Sequence, residues 1–307
     1  SHSGQIDYGW APEISGTGMQ TQVTDWSLFD EHFGSYLDGS AFTGERADVP
    51  VTHLYLPLHE NWPATMADSY SAGNDLKKYP ANITMHAMTA PPVNEAFSED
   101  SRQAFQSITR QFAQHFLQKN WLKTNFQFYL NDKYYYKDET HNFRGVSWWL
   151  LDEPMHRDDW LTLAYFSDLF HAGIAGSNAH MIFRSDISRP QWQRGWLDGK
   201  IELMCVASEL FAHPQHCLRM HENFSTVIWH YGESNPICES NLNAVGWVIS
   251  AYSAGADGVV PWNVIGDAKS LDTPTPTALF VPGNRFGISG PVISLRLLAL
   301  CRGQQDV

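Results

Sequence analysis

The sequence predicts an α/β fold, a TIM-like (β/α)8 barrel that is irregular or incomplete at its first strand. Short apolar, β-branched or aromatic runs end in polar or charged residues, and helix-period segments separate several of them. Near-continuous apolar strands alternating with amphipathic helices are typical of a parallel sheet covered on its outer face. About eight such units fit within 307 residues, which favours a closed barrel over an open sheet. No GxGxxG motif stands at a strand-to-helix turn, which disfavours a dinucleotide-binding fold.

Seven runs are predicted to be strands. They are VTHLYLPLHENW (51–62), NFQFYLND (125–132), VSWWLLDEP (146–154), HMIFRSD (180–186), IELMCVASE (201–209), STVIWHYGE (225–233) and DGVVPWN (257–263). The eighth strand is either the irregular opening segment around QIDYGW or a segment before the first residue.

Four segments carry apolar residues at helical spacing. They are DWSLFDEHFGSYLDG (25–39), SEDSRQAFQSITRQFAQHFLQKNW (98–121), DDWLTLAYFSDLFHAG (158–173) and NLNAVGWVISAYSAG (241–255). Ser98 is predicted to cap the second helix, whose first turn is acidic. Gly173 and Gly255 are predicted to end the third and fourth helices.

Charge and hydropathy exclude several classes of partner. The formal net charge of −13 argues against nucleic acid and against an anionic membrane surface, because both need a basic face. No apolar run reaches about 18 residues, so no membrane span is expected. No repeat or linker divides the chain, and residues 1–307 are therefore predicted to form one domain.

The cysteines and histidines do not predict a metal site. Cys205, Cys217, Cys238 and Cys301 are scattered without a CxxC pair, and the 14 histidines form no HxH or HExxH arrangement. Buried free thiols are expected, although a bridge between Cys217 and Cys238 would form in an oxidising compartment if the distance allowed it. No metal and no cofactor are predicted.

The adjacent pair Asp152 and Glu153 stands out among the polar strand ends, which in such barrels are where the active site lies. Successive side chains of a regular strand point to opposite faces, so two neighbouring carboxylates share a cavity only where the strand bends into its loop. Pro154 is well placed to force that bend. Two acids at the mouth of an apolar barrel should push their pKa values apart, so that an acid and a base coexist.

Glycoside hydrolysis is the reaction class that most often needs two carboxylates. Adjacent residues approach a sugar from the same side, which fits poorly with two acids that flank the ring. The arrangement suits a substrate that supplies its own nucleophile, the oxygen of its 2-acetamido group. Chain order then assigns Asp152 to the acetamido nitrogen and Glu153 to general acid/base duty.

Three blocks of the sequence resemble the catalytic domain of glycoside hydrolase family 123 and the wider group of uncharacterised proteins that share this domain. The blocks are WWLLDEP (148–154), AGADGVVPWNV (254–264) and ALFVPGNRFGISGPVISLRLLALCRGQQD (278–306). They are similar to the family's strand ending in Asp-Glu-Pro, to its Gly-rich turn before a strand that ends in Trp, and to its closing pattern.

The resemblance implies a TIM-like barrel, β-N-acetylgalactosaminidase activity and substrate-assisted retention by Asp152 and Glu153 at the end of the fourth strand. The chain departs from the family pattern in two respects. Nothing in it resembles the β-sandwich domain that usually precedes the barrel, and Cys301 and Gln304 replace more typical residues of the closing pattern.

Further strand-end residues are candidates for substrate binding. Tyr231 would hydrogen-bond the acetamido carbonyl, and Trp262 would pack on the acetamido methyl or the pyranose face, unless both are ordinary core residues. Arg184 would control the ionisation of the acid pair or bind an anionic group of the glycan, unless it only pairs with Asp186. The remaining candidates are Asn131, Asp132, His230 and Asn263.

Two other hypotheses stay open. In the first, a conventional glycosidase uses Glu153 as the acid and a distant carboxylate, Glu209 or Glu233, as the nucleophile. In the second, the chain is a glycan-binding barrel without turnover, against which the intact Asp-Glu-Pro argues mildly. In every case the expected partner is a glycan, with a terminal 2-acetamido sugar under the leading hypothesis. That substrate implies a secreted, periplasmic or cell-surface protein, although the first residues show no signal-peptide pattern.

Overall fold

The computed structural model describes residues 10–58, 62, 92–130, 149–232, 239–261, 264–266, 268–272 and 278–307. The chain forms two compact units. The first consists of Ser1–Asp186 and Gln193–Glu202, and the second of Ile187–Trp192 and Leu203–Val307. Both units have mixed α/β structure, and three parallel strands are described in each.

The first unit contains five strands and four helices within its described residues. They are β1 (Glu13–Ser15), β2 (Gln22–Asp25), α1 (Ser27–Asp38), β3 (His53–Tyr55), α2 (Val93–Ala96), α3 (Glu99–Gln118), β4 (Asn125–Tyr129), α4 (Arg157–Ile174) and β5 (Met181–Ile187). Strands β3, β4 and β5 pair in parallel in that order, whereas β1 and β2 form an antiparallel pair.

The second unit contains five strands and four helices in the part of the chain that is described. They are β6 (Leu203–Val206), α5 (Glu209–Ala212), α6 (Pro214–Phe224), β7 (Val227–Gly232), α7 (Leu242–Ser253), β8 (Gly258–Pro261), β9 (Phe280–Pro282), β10 (Pro291–Ile293) and α8 (Leu295–Gln305). Strands β6, β7 and β8 are parallel neighbours, and β9 pairs antiparallel with β10.

The four predicted helices are present, although Gly173, predicted to end the third, lies inside α4, which continues to Ile174. Local signals set ends of the other three. The Ser98 hydroxyl accepts the Ser101 N–H at 3.2 Å and caps α3, whose first turn is acidic. Gly39 follows α1 at φ +88°, and Gly255 lies just beyond α7 at φ +92°. Glycine adopts this left-handed conformation without steric cost, which makes it a common helix terminator.

Helices α3 and α4 cover one face of β4 with an aromatic core. Phe116 of α3 stacks on Phe126 of β4 with ring centroids 3.6 Å apart, and Phe170 of α4 stacks on Phe128 at 5.1 Å. All four of these rings are fully buried. The two helices also approach each other closely, because a Cβ at Gly173 would lie 2.8 Å from Cβ of Thr109. The parallel sheet of this unit is therefore covered by helices, as the apolar strands predicted.

Six of the seven predicted strands are present, and all of them except β5 are shorter than their apolar runs. The described part of the run 146–154, residues 149–154, is not a strand and bends at Asp152 and Glu153. This prediction was wrong for those residues because the Leu150 N–H donates to the Asp159 side chain and the Glu153 N–H donates to the Asp186 carbonyl at a bend, so these amides do not form a regular strand ladder. The opening segment QIDYGW lies outside the described residues except for Trp10.

The two antiparallel pairs were not predicted. Their strands are only three or four residues long and lack the alternation that marks a half-buried strand. Between β9 and β10, the Gly283 N–H donates to the Gly290 carbonyl at 3.0 Å, and a Cβ at Gly283 would collide with that carbonyl oxygen. The Pro-Gly and Gly-Pro pairs of the closing block thus lie at the two ends of the loop that joins β9 to β10.

None of the described helices combines the length and the apolar character needed to cross a bilayer.

Candidate active site

One face of the sheet in the first unit is polar. Because side chains alternate along a strand, Phe126 and Phe128 point to the helices and Gln127 points to the opposite face. The register pairs Tyr55 with Gln127, and Tyr129 with Arg184. The residues of this polar face are His53 and Tyr55 from β3, Gln127 and Tyr129 from β4, and Arg184 and Asp186 from β5.

Arg184 and Asp186 form a buried bidentate ion pair at the end of β5. Nε of Arg184 donates to Oδ1 of Asp186 at 2.7 Å, and Nη2 donates to Oδ2 at 2.8 Å. The side chains are 4% and 2% exposed. A paired guanidinium and carboxylate tolerate such burial because each compensates the other's lost hydration.

The Arg184 guanidinium is also enclosed by aromatic rings. It lies 4.6 Å from the ring centre of Tyr129 and 5.1 Å from that of Tyr55, and Nη1 contacts the Tyr55 hydroxyl and donates to Oε1 of Gln127 at 3.3 Å. Gln127 continues the network to Nδ1 of His53 at 2.9 Å. Burial, reinforced by the charge of Arg184, lowers the pKa of His53. The ion pair between Arg184 and Asp186, one of the alternatives that the sequence left open, is therefore present. The predicted role of Arg184 in substrate binding stays a prediction.

Asp152 joins this network through Tyr129. The side chain of Asp152 is 1% exposed, and the Tyr129 hydroxyl lies 3.0 Å from its Oδ1 and 3.0 Å from Oδ2 of Asp186. Burial raises the pKa of Tyr129 well above its usual value, and the charges of Asp186 and Asp152 raise it further. The phenol therefore keeps its proton and acts as a hydrogen-bond donor.

Glu153 is half-buried and has a left-handed backbone, with φ +61°. The Glu153 N–H donates to the carbonyl of Asp186 at 3.1 Å, and this bond holds the bend against the end of β5. A bend at the acid pair was predicted from Pro154, and the structure places the unusual dihedral on Glu153 itself. A residue other than glycine in this region carries a cost of roughly 1 to 3 kcal/mol, and such residues cluster at functional sites.

Residues 150–156, which carry the acid pair, are called the acid loop here. Asp159 bonds to both ends of this loop. Its Oδ1 accepts the Leu150 N–H at 3.0 Å, and its Oδ2 accepts the N–H groups of Met155 at 3.0 Å and His156 at 2.7 Å. Asp159 is 1% exposed, and burial raises its pKa against the opposing effect of these amides. Three amide donors on one buried carboxylate hold the loop against the start of α4.

Two predicted substrate-binding residues lie on β7 in the second unit. His230 is 2% exposed, and its Nδ1 lies 2.9 Å from the Val206 carbonyl oxygen. Burial lowers the pKa of His230, and its ring packs on Phe211 and Trp247 with centroids 4.7 and 5.3 Å away. Tyr231, the next residue, is half-buried.

The other candidates have different positions. Glu209 is half-buried and begins α5 in the second unit. The predicted residues that lie outside the described part of the chain are Asn131, Asp132, Glu233, Trp262 and Asn263.

The described cysteines are free thiols. Cys205 and Cys217 are buried and Cys301 is exposed, whereas Cys238, the other member of the bridge considered from the sequence, lies outside the described residues. Burial raises the pKa of the Cys217 thiol to about 12. Within the described ranges, no group of three or more His, Cys, Asp or Glu side chains is placed to hold a metal ion.

Sequence reasoning missed Tyr129 and Asp159. Tyr129 sits inside an aromatic strand, where nothing local distinguishes it from a core residue. Asp159 did leave a signal, because an acid in the first turn of a helix commonly bonds to backbone amides at the N-terminus.

No protein-family model matches the chain, and no curated protein matches it either. The resemblance to glycoside hydrolase family 123 therefore rests on the sequence blocks quoted above.

Proposed function

We propose that the protein is a glycoside hydrolase of the β-N-acetylhexosaminidase type, acting with retention through the 2-acetamido group of its substrate. The observation that carries this proposal is the asymmetric environment of two consecutive carboxylates. Asp152 is buried and bonded to Tyr129, whereas Glu153 is partly exposed at a left-handed bend. Membership of family 123, preference for N-acetylgalactosamine and a complete (β/α)8 barrel belong to the same proposal.

The two environments suit two different roles. Asp152, held by a hydroxyl donor, acts as the anionic acceptor for the acetamido N–H and stabilises the positive charge that develops there. The acetamido oxygen attacks C1 while Glu153 gives its proton to the leaving oxygen, which yields an oxazolinium ion and a free alcohol. Glu153 then takes a proton from water, which attacks C1 and reopens the ring with retained configuration.

The remaining predicted residues would form the sugar-binding surface. We assign acetamido recognition to Tyr231 and Trp262. Contacts with other substrate groups are assigned to Asn131, Asp132, Arg184, His230 and Asn263. A glycan substrate of this kind also implies export of the protein.

The proposal predicts a specific substrate profile. Purified protein is incubated with aryl β-N-acetylgalactosaminide, aryl β-N-acetylglucosaminide and aryl β-galactoside, each with and without a thiazoline that mimics the oxazolinium ion. We expect hydrolysis of acetamido sugars alone, and inhibition by the thiazoline, because only these substrates carry the internal nucleophile.

Other outcomes separate the competing hypotheses. Hydrolysis of the plain galactoside would favour a conventional two-carboxylate mechanism, in which either Glu209→Gln or Glu233→Gln would abolish activity. Binding of acetamido sugars without hydrolysis, measured by calorimetry, would favour a glycan-binding protein.

A further inference from the structure

The hydroxyl of Tyr129 lies between two buried carboxylates. Its oxygen is 3.0 Å from Oδ1 of Asp152 and 3.0 Å from Oδ2 of Asp186, and these side chains are 1% and 2% exposed. A phenol has one proton to donate. The carboxylate that receives this proton has its negative charge stabilised by a hydrogen bond in a buried environment, where such a bond is strong.

Because Asp186 is bonded to Arg184 in the ion pair on β5, the Tyr129 hydroxyl can donate its proton to Asp152. Each oxygen of Asp186 already accepts an N–H from Arg184, at 2.7 and 2.8 Å. The negative charge of Asp186 is therefore stabilised without Tyr129. The Tyr129 proton is therefore assigned to Oδ1 of Asp152, 3.0 Å away.

We propose that Tyr129 is a positioning residue for Asp152, whose carboxylate it keeps ionised and oriented for the acetamido N–H of the substrate. This inference rests on the proposed function, which assigns the acetamido group to Asp152. It links two residues 23 positions apart in the sequence, and no motif in the sequence joins them.

The other titratable or charged groups near Tyr129 and Asp152 come from strands β3 and β5 and from the acid loop. In the described part of the chain they are His53 and Tyr55 on β3, Arg184 and Asp186 on β5, and Glu153. The lowered pKa of His53 favours its neutral form near pH 7, and the positive charge of Arg184 is bonded to Asp186. Tyr129 donates to Asp152 and keeps its proton across the neutral range.

The Tyr129→Phe variant tests the inference, because it removes the donor and keeps the ring. Without the donor, the Asp152 carboxylate holds a proton up to a higher pH. We therefore expect the acidic limb of the kcat/KM profile to move to higher pH, with kcat falling about 10- to 100-fold and KM changing less. The matched control is Tyr165→Phe, which deletes the same atom from a ring that stacks on Phe97 at 5.8 Å in the helical layer. Its pH profile should equal that of the wild type.

Unfolding midpoints of both variants separate a loss of stability from a change in ionisation. A merely structural role for the Tyr129 hydroxyl would lower the midpoint and leave the acidic limb in place, and that result overturns the inference.

A second measurement does not depend on turnover. The aspartate carboxyl carbons are titrated by carbon-13 NMR in wild type and Tyr129→Phe, and the Asp152 signal is assigned with Asp152→Asn. A higher titration midpoint for Asp152 in Tyr129→Phe supports the link, and an unchanged midpoint contradicts it. If the wild type hydrolyses no acetamido sugar, the proposed function fails, and this titration still decides whether Tyr129 controls Asp152.

Discussion

Glu153 has a backbone conformation that its residue type rarely adopts, at φ +61°. The cost of this conformation is offset by the bond from its N–H to the Asp186 carbonyl, 3.1 Å away. The residue is kept at the end of β5 while its side chain remains partly exposed. This combination suits a group that must exchange protons with a substrate, which is why we assign the acid role to Glu153 and not to Asp152.

Replacing Glu153 with Gln tests that assignment. The amide cannot give a proton to the leaving oxygen, so hydrolysis of a substrate with a poor leaving group should fall about 100- to 10,000-fold. A dinitrophenyl glycoside, whose leaving group needs no proton, should lose much less activity in its first step. The control is Glu222→Gln, on an exposed position of α6. A wild-type rate of Glu153→Gln on the poor leaving group would refute the assignment.

Single residues also mark the limit of what the sequence can predict. Asp152 and Glu153 were recognised because adjacent acids before a proline are unusual at the end of an apolar run. Tyr129 was not, because its proposed role depends on contacts with residues 23 and 57 positions further along the chain. Such contacts are created by strand register, which the sequence does not display locally.

Among the elements of the fold, the acid loop depends on α4 for its shape. One buried carboxylate, that of Asp159, accepts three of the loop's backbone amides. The acid loop forms neither a strand nor a helix. Its two ends are nevertheless fixed, because both bond to Asp159 in the first turn of α4. The apolar content of residues 149–154 predicts a strand, and the bonds to Asp159 explain why these residues form a loop instead.

The Asp159→Ala variant should therefore be strongly destabilised. It leaves three amides without their acceptor, and we expect a loss of about 3 kcal/mol in the free energy of unfolding. Denaturant titration measures this loss. The neighbouring Asp158→Ala provides the control, because the Asp158 side chain is 40% exposed and pairs with Arg157 at the surface. Its effect should stay within about 0.5 kcal/mol, and equal stability of the two variants would contradict the anchoring role of Asp159.

Helices were predicted better than strands for a physical reason. A helix is set by local periodicity and local caps, as at Ser98 in α3. The short strand pairs β1–β2 and β9–β10 instead depend on partners and on backbone contacts such as that between Gly283 and Gly290. These contacts leave no periodic apolar pattern to detect.

For the molecule as a whole, six parallel strands and the helices around them match the α/β architecture expected from alternating apolar runs. The predicted substrate class and the single-domain organisation stay predictions. The described residues of the polar network around Asp152 belong to the first unit, whereas His230 and Tyr231 belong to the second.

The free thiols offer a measure of opening in the second unit. Cys205 and Cys217 are fully buried, Cys301 is exposed, and all three belong to that unit. In a Cys238→Ser background, a maleimide should label Cys301 rapidly. It should label Cys205 and Cys217 about 1,000-fold more slowly, because their exposure requires an opening that costs about 4 kcal/mol. Mass spectrometry of the labelled peptides measures these rates, and similar rates for all three thiols would contradict the burial of this core.

The alternation of side chains along β4 has a consequence for how this protein could change over time. Phe126 and Phe128 pack against the helices, whereas Gln127 and Tyr129 belong to the polar network. Residues that hold the fold and residues of the polar network therefore alternate along one short strand. Selection for a new substrate can thus act on every second residue while the others keep the fold. A combinatorial library limited to the polar positions of β3, β4 and β5 would explore new activities on an unchanged scaffold.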